Sequence, residues 1–292
     1  MLTMQTDVGQ IKRILLKHAK DAFRNEQQIE QEWQALNFLA KPDRANAIKE
    51  YDAFCELLVK LGVELAFLPA SDDTTLDSLY PRDNALTTDE GILLCTMGKP
   101  NRASEPEHLK QFFQTEGITI KGEISAPGSI EGGDVTWLKN NVLAVANGYR
   151  TNPKGIAQLR EQVANTASAV IEVPLPHFRG PSDVFHLMSI VSPIAEDVAV
   201  VYSPLMPVPF RNYLLESGYR LVEVPESEYD SQGCNVLAVA PGVVIAVDGN
   251  PITLKGMQQA GIDVHVIKGK DICEKGCGGP TCLTRPLERL PV

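Results

Sequence analysis

Three kinds of side chain in this sequence could act together on a substrate. A thiol, Cys282, stands in CGGPTCLTRPL, and an imidazole, His186, in DVFHLMS. Carboxylates stand in LDSLYPRDNAL, as Asp77 and Asp83 with Arg82 between them, and in SIEGGDVTWL, as Glu131 and Asp134. A thiolate, an acid/base partner and carboxylates in one pocket suit nucleophilic catalysis. Each also has a plainer reading. Cys273, Cys277 and Cys282 could form a zinc knuckle, but the C-x3-C-x4-C spacing lacks a C-x2-C pair, and His265 is the nearest fourth ligand. A histidine between Phe185 and Leu187 also fits a core position. Glu131 before Gly132-Gly133 could serve a turn, and Asp77 could cap one. Asp134 reads as support for its turn. Cys234, followed by Asn235 in YDSQGCNVL, reads as a wall residue, and Cys55 and Cys95 in apolar runs read as core. His18, His108 and His177 lie on polar stretches and read as solvated.

These residues lie far apart in the chain, so the fold must gather them. One pattern recurs five times: an apolar strand, a polar turn, an amphipathic helix and a second short strand. The first strands are KRILLKHA, GILLCTMG, NVLAVANG, DVAVVYSP and VVIAVDGN. The second are VELAFLP, ITIKG, AVIEVP, YRLVEVP and IDVHVI. Gly117, Gly218 and Gly261 close three of the helices, where a left-handed residue suits a C-terminus. A polar helical insertion near residues 20–46 lengthens the first unit. Units of this kind cannot bury their faces alone, so they should pack around a common axis. The pattern predicts one α/β domain spanning 1–292, a five-bladed α/β propeller with its helices outside. A doubly wound parallel sheet is the competing reading, although no G-x-G-x-x-G follows a first strand. In a propeller, the segments after the second strands converge at the mouth of the axis. Those segments hold every candidate above.

Composition sets outer bounds. Hydrophobic residues make up 43% of the 292 residues and charged residues 22%, the balance of a folded globular chain. Acidic residues outnumber basic ones by 37 to 27, which argues against an open nucleic-acid surface. Neither a secretory core nor an 18-residue apolar span appears, so no membrane partner and a cytoplasmic location are expected. The six cysteines would then be thiols.

PRDNAL, IEGGDV, NGYRTN, DVFHLMS and CGGPTCLTRPL together resemble the motifs of the guanidine-modifying superfamily. That superfamily includes arginine deiminases, dimethylarginine dimethylaminohydrolases and amidinotransferases, all fivefold α/β propellers of the pentein type. The resemblance covers almost the whole chain and is closest in layout to the dimethylarginine branch, since arginine deiminases carry an extra helical domain. It implies Cys282 as the nucleophile on the guanidinium carbon, with His186 protonating the departing amine and then activating water. It implies Asp83 and Glu131 as the carboxylates that hold the guanidinium through charge-assisted hydrogen bonds, and Asp77 as a further substrate contact. Arg102 in KPNRASEP and Arg150 in GYRTNP match the arginines that bind the substrate carboxylate.

The implied reaction needs no cofactor and no metal. Its partner is a small guanidino substrate, in a chain that could assemble as a homo-oligomer. Two departures from the family pattern bear on the substrate. Arg82 stands where the dimethylarginine branch commonly has an acidic residue, as in arginine deiminases. Met188 stands where arginine deiminases carry an aspartate. Hydrolysis of arginine or an Nω-methylated arginine is the leading expectation. Amidino transfer, ornithine-forming double hydrolysis and a non-catalytic binding propeller are the alternatives.

Overall fold

The computed structural model describes residues 5–292, with fifteen strands in five sheets of three. In chain order the strands are β1 (Ile11–Leu16), β2 (Glu64–Phe67), β3 (Ala85–Thr88), β4 (Gly91–Leu94) and β5 (Ile120–Glu123). They continue as β6 (Val135–Leu138), β7 (Val142–Asn147), β8 (Ala169–Pro174), β9 (Val191–Ala195) and β10 (Val198–Val201). The last five are β11 (Arg220–Glu223), β12 (Leu237–Ala240), β13 (Val243–Val247), β14 (Asp263–Ile267) and β15 (Thr284–Arg289). The sheets order as β15-β1-β2, β3-β4-β5, β6-β7-β8, β9-β10-β11 and β12-β13-β14.

Every blade follows one rule. The central strand pairs antiparallel with one edge strand and parallel with the other, as β7 does with β6 and β8. Parallel pairing requires a crossover. The blade helices supply it: α3 (Arg44–Lys60), α4 (Glu105–Thr115), α5 (Pro153–Gln162), α6 (Val208–Glu216) and α7 (Pro251–Gln259). Local signals fix their ends. Asn152 caps α5 by accepting from Gly155 N at 2.8 Å, with Pro153 in the first turn. Gly117, Gly218 and Gly261 follow their helices at φ of +67°, +78° and +87°, as expected from the sequence. The insertion in the first unit forms α1 (Ala19–Ala22) and α2 (Glu26–Glu32) ahead of α3.

The expected strand–helix–strand unit is therefore incomplete, since each blade has a third strand. Those extra strands line the axis. β3 and β6 are buried along their whole length, whereas the opposite edge strands β2, β5 and β11 are largely exposed or half-buried. β12 touches β9, and β15 touches β3. The ring closes when β15 pairs antiparallel with β1, placing Leu15 opposite Arg285. Apolar cores fill the spaces between blades. One packs Leu93, Trp137, Val145 and Leu159, and another packs Leu15, Ile92, Phe113 and Leu287. Among the described residues, no helix is long and apolar enough to cross a membrane.

Candidate active site

Each axial strand is entered through a tight segment, and the five segments meet at one end of the ring. The 3-10 turn Pro81–Asn84 touches Gly132–Asp134, which touches Leu187–Ser189. Arg82 N donates to Cys282 O at 3.4 Å, joining the first segment to the last. Asn235 Nδ2 donates to Cys282 Sγ at 3.1 Å, joining the fourth to the fifth. Every segment singled out in the sequence contributes.

Asp83, Glu131 and His186 present ligand-type atoms within 4.8 Å of one another, and all three are buried. Glu131 Oε2 lies 2.7 Å from His186 Nε2, and its Oε1 accepts from Lys99 N at 2.9 Å. Asp83 Oδ1 accepts from Gly133 N at 3.0 Å, and its Oδ2 pairs with Arg102 Nη1. Gly133 has to be glycine: a Cβ there would sit 2.7 Å from Asp83 Oδ1 and 2.8 Å from His186 Nδ1. The second glycine of EGGD is thus what lets the carboxylate and the ring approach. Asp134, read from the sequence as support for its own turn, instead reaches across: its Oδ1 accepts from Leu187 N at 3.1 Å and fixes the turn that carries His186.

Electrostatics sets the resting protonation. Burial alone would raise the Glu131 carboxyl, but the hydrogen bond and charge of His186, helped by Arg150 and Arg102, bring it down to about 2. Burial alone would lower His186, but Asp83, Asp134 and Glu131 outweigh it and raise the imidazole to about 9. The pair therefore rests as carboxylate and imidazolium. Cys282 goes the other way: burial and then the charge of Asp83 push its thiol up to about 11, against the Asn235 and Gly279 hydrogen bonds. Cys282 therefore rests as a thiol, and a cation beside the sulfur would favour the thiolate.

The other predicted residues sit close by with particular partners. Arg102 gives Nε and Nη2 to Glu105 at 2.9 and 2.8 Å, Nη2 to Tyr80 O at 2.8 Å, and Nη1 to Asp83. Those bonds make it the support of Asp83 and leave little for a substrate carboxylate. Arg150 is held less fully, with Nη1 at 3.4 Å from Glu131 and Nη2 at 3.0 Å from Asp183 O. Asp77 forms an ion pair with Lys99 Nζ at 2.6 Å. Arg82 turns from the pocket and pairs with Asp7 at 2.8 Å.

Cys234 is buried in an inter-blade core, in keeping with a wall residue. His18, read as solvated, is instead buried: its ring caps α1 and contacts Asp52 at 3.0 Å. Sequence reasoning missed Lys99 and passed over Asn235, although Asn235 follows Cys234 in a quoted segment. A buried cation and an amide have no spacing signature of their own.

The Asp83, Glu131 and His186 cluster is compact enough to hold an ion, yet its chemistry suits a planar cation better. His186 Nε2 is committed to Glu131, and both carboxylates already face guanidinium groups from Arg102 and Arg150. Carboxylate oxygens keep acceptor capacity beyond those bonds, of the kind a guanidinium N–H uses.

Comparison with known proteins settles the family. The model for N,N dimethylarginine dimethylhydrolase of eukaryotes matches residues 17–247. The chain belongs to that family. An arginine deiminase model also matches residues 206–289. The arginine deiminase of Mycobacterium avium is 30% identical over 73% of this chain and 60% of its own length, so the chain spans well under two thirds of that relative. The fold matches dimethylarginine dimethylaminohydrolase from Pseudomonas aeruginosa, a cysteine-to-serine mutant complexed with citrulline. The TM-score is 0.76 at 20% identity, over 96% of this chain and 99% of that one. It also matches SxtG, an amidinotransferase from Microseira wollei in saxitoxin biosynthesis, with TM-score 0.79 at 15% identity over 100% and 98%. The five-bladed pentein fold and membership among the guanidine-modifying, amidine-hydrolysing enzymes follow.

Proposed function

We propose that this family member hydrolyses the guanidino group of arginine or an Nω-methylated arginine through a covalent intermediate on Cys282. The products are citrulline and ammonia or a methylamine. The observation that carries the reading is the meeting of Asp83, Glu131 and imidazolium His186 within 4.8 Å, at the same end of the ring as a thiol held by Asn235.

Asp83 and Glu131 accept hydrogen bonds from the guanidinium, and Arg150 takes the substrate carboxylate. The cation lowers the cost of ionising Cys282, whose proton leaves to solvent. The thiolate adds to the guanidinium carbon, and His186 gives its proton to the departing nitrogen. The C–N bond breaks, the amine leaves, and an amidino thioether remains on sulfur. Neutral His186 then takes a proton from water as the oxygen adds to carbon. The C–S bond breaks, the thiolate leaves, and the oxygen gives its remaining proton to solvent as the urea carbonyl forms.

Met188 shapes the substrate preference. It is 3% exposed yet belongs to none of the four apolar cores, two residues beyond His186. An apolar wall there favours an N-methyl group by roughly 0.8 kcal/mol per buried carbon. Unsubstituted arginine would leave an N–H unpaired at a cost of about 1–3 kcal/mol. Arg82, engaged with Asp7, has no part in that choice.

The test compares kcat/KM for arginine, monomethylarginine, dimethylarginine and agmatine in wild type and Cys282→Ser, with product analysis. The methylated substrates should lead, agmatine should trail for want of a carboxylate, and the serine variant should lose several orders of magnitude. A clear win for arginine overturns the methyl-accepting wall, and a win for agmatine removes the role of Arg150. Ornithine, or amidino transfer to an added amine, overturns simple hydrolysis.

A further inference from the structure

A cavity of about 620 Å³ opens between β2 and α4, away from the thiol. Phe67, 41% exposed although it is aromatic, forms an apolar part of its wall with Leu109 and Phe112, and His108 and Glu116 stand on the polar part. Its floor is polar and buried. Lys17, 2% exposed, lines it and donates to the Pro69 carbonyl, which leaves ammonium donors to spare. Ser78 Oγ and Asn84 Oδ1 belong to two more buried lining residues, and neither atom has a hydrogen-bond partner among the described residues. Glu105, a further polar lining residue, is satisfied by Arg102 and by Asn84 Nδ2 at 2.9 Å.

A buried cation with unused donors and an unpartnered Ser78 hydroxyl that can donate, beneath a partly apolar rim, form a site for an amphipathic anion. Lys17 offers one positive charge, and Glu105 and Glu116 share the lining, so a singly charged carboxylate fits better than a phosphate. The floor also reaches the catalytic turn. Asn84 follows Asp83 in the chain and bonds to Glu105, and Glu105 holds Arg102, whose Nη1 pairs with Asp83.

We propose that this cavity binds a small monocarboxylate with an apolar body, its carboxylate on Lys17, and that occupancy is felt at Asp83 through Asn84, Glu105 and Arg102. The binding half stands alone; the coupling half rests on the guanidino-hydrolase reading.

Hexanoate is the probe, titrated calorimetrically into wild type, Lys17→Met and Ala70→Trp, with hexylamine as the charge-reversed control. Ala70 is an exposed lining residue, so a tryptophan there obstructs the cavity without disturbing the core. Wild type should bind one hexanoate saturably, Lys17→Met and Ala70→Trp about tenfold more weakly, and hexylamine should not bind. Absence of saturable binding, equal binding to Lys17→Met, or equal binding of hexylamine overturns the site. If Lys17→Met fails to fold, Ala70→Trp decides alone. In Cys282→Ser, bound hexanoate should change Kd for the guanidino substrate by about fivefold or more, and substrate should change hexanoate affinity by the same factor. Binding without that reciprocal change overturns the coupling. A protein that binds hexanoate but turns over no guanidino compound fails on function, not on the site.

Discussion

Glu131 and His186 meet at 2.7 Å, and each holds the other in its charged form. The consequence for stability follows from the shifts. His186 rises from 6.5 to about 9, so its contribution is complete below pH 6.5 and is lost as pH climbs through 9. Glu131 falls from 4.5 to about 2, so its contribution is complete above pH 4.5 and is lost as pH drops through 2. The difference in Tm between wild type and Glu131→Gln should therefore be greatest between those inner limits and shrink by pH 9.5. A difference that keeps growing above pH 9 would contradict the pairing. Asn235 supplies a second prediction. Its amide bonds Cys282 Sγ and accepts from Thr281 N at 3.0 Å, so Asn235→Ala should cut kcat by about 10²-fold through misplacement while leaving KM near wild type. An equal rise in KM would mean that the amide binds substrate instead. At this scale the sequence disclosed groups with chemistry of their own, Cys282, His186, Asp83 and Glu131. It hid the partner choice of Arg102, because a guanidinium looks the same whether it faces a ligand or Glu105.

Among the elements, the turns before the axial strands matter most, and glycine decides their spacing. Gly133→Ala would drive a methyl between Asp83 and His186, so it should abolish turnover and cost about 1–3 kcal/mol of stability, read as a lowered denaturant midpoint. Activity near wild type would show that the turn yields. The central strands and outer strands were legible because their apolar runs alternate with capped helices at a steady interval. The axial strands were not. β3 reads ALTT and β6 reads VTWL, four residues each, buried on both faces. Runs that short and without alternation carry no period, and β15 hides further behind Pro286 in TRPLER. Only closure of the ring gives them a partner.

Across the whole molecule, the apolar cores between blades contribute stability away from the reacting groups. Leu287 on β15 is 1% exposed and packs in the same core as Leu15 of the first blade and Ile92 and Phe113 of the second. Leu287→Ala should cost about 2–5 kcal/mol by thermal or denaturant unfolding, with kcat of the folded fraction unchanged. Cys282→Ser should do the reverse, losing turnover while Tm stays close to wild type. If Leu287→Ala lost kcat in its folded fraction, ring closure and site geometry would be coupled after all. The central claim is that Cys282 carries the substrate, and acid quenching during turnover followed by mass analysis of the Cys282 peptide tests it directly. The predicted adduct has the mass of the substrate less its departing amine, identical from arginine and monomethylarginine and absent in Cys282→Ser. An adduct on another residue, or a bare amidino group on Cys282, would contradict the proposed hydrolysis.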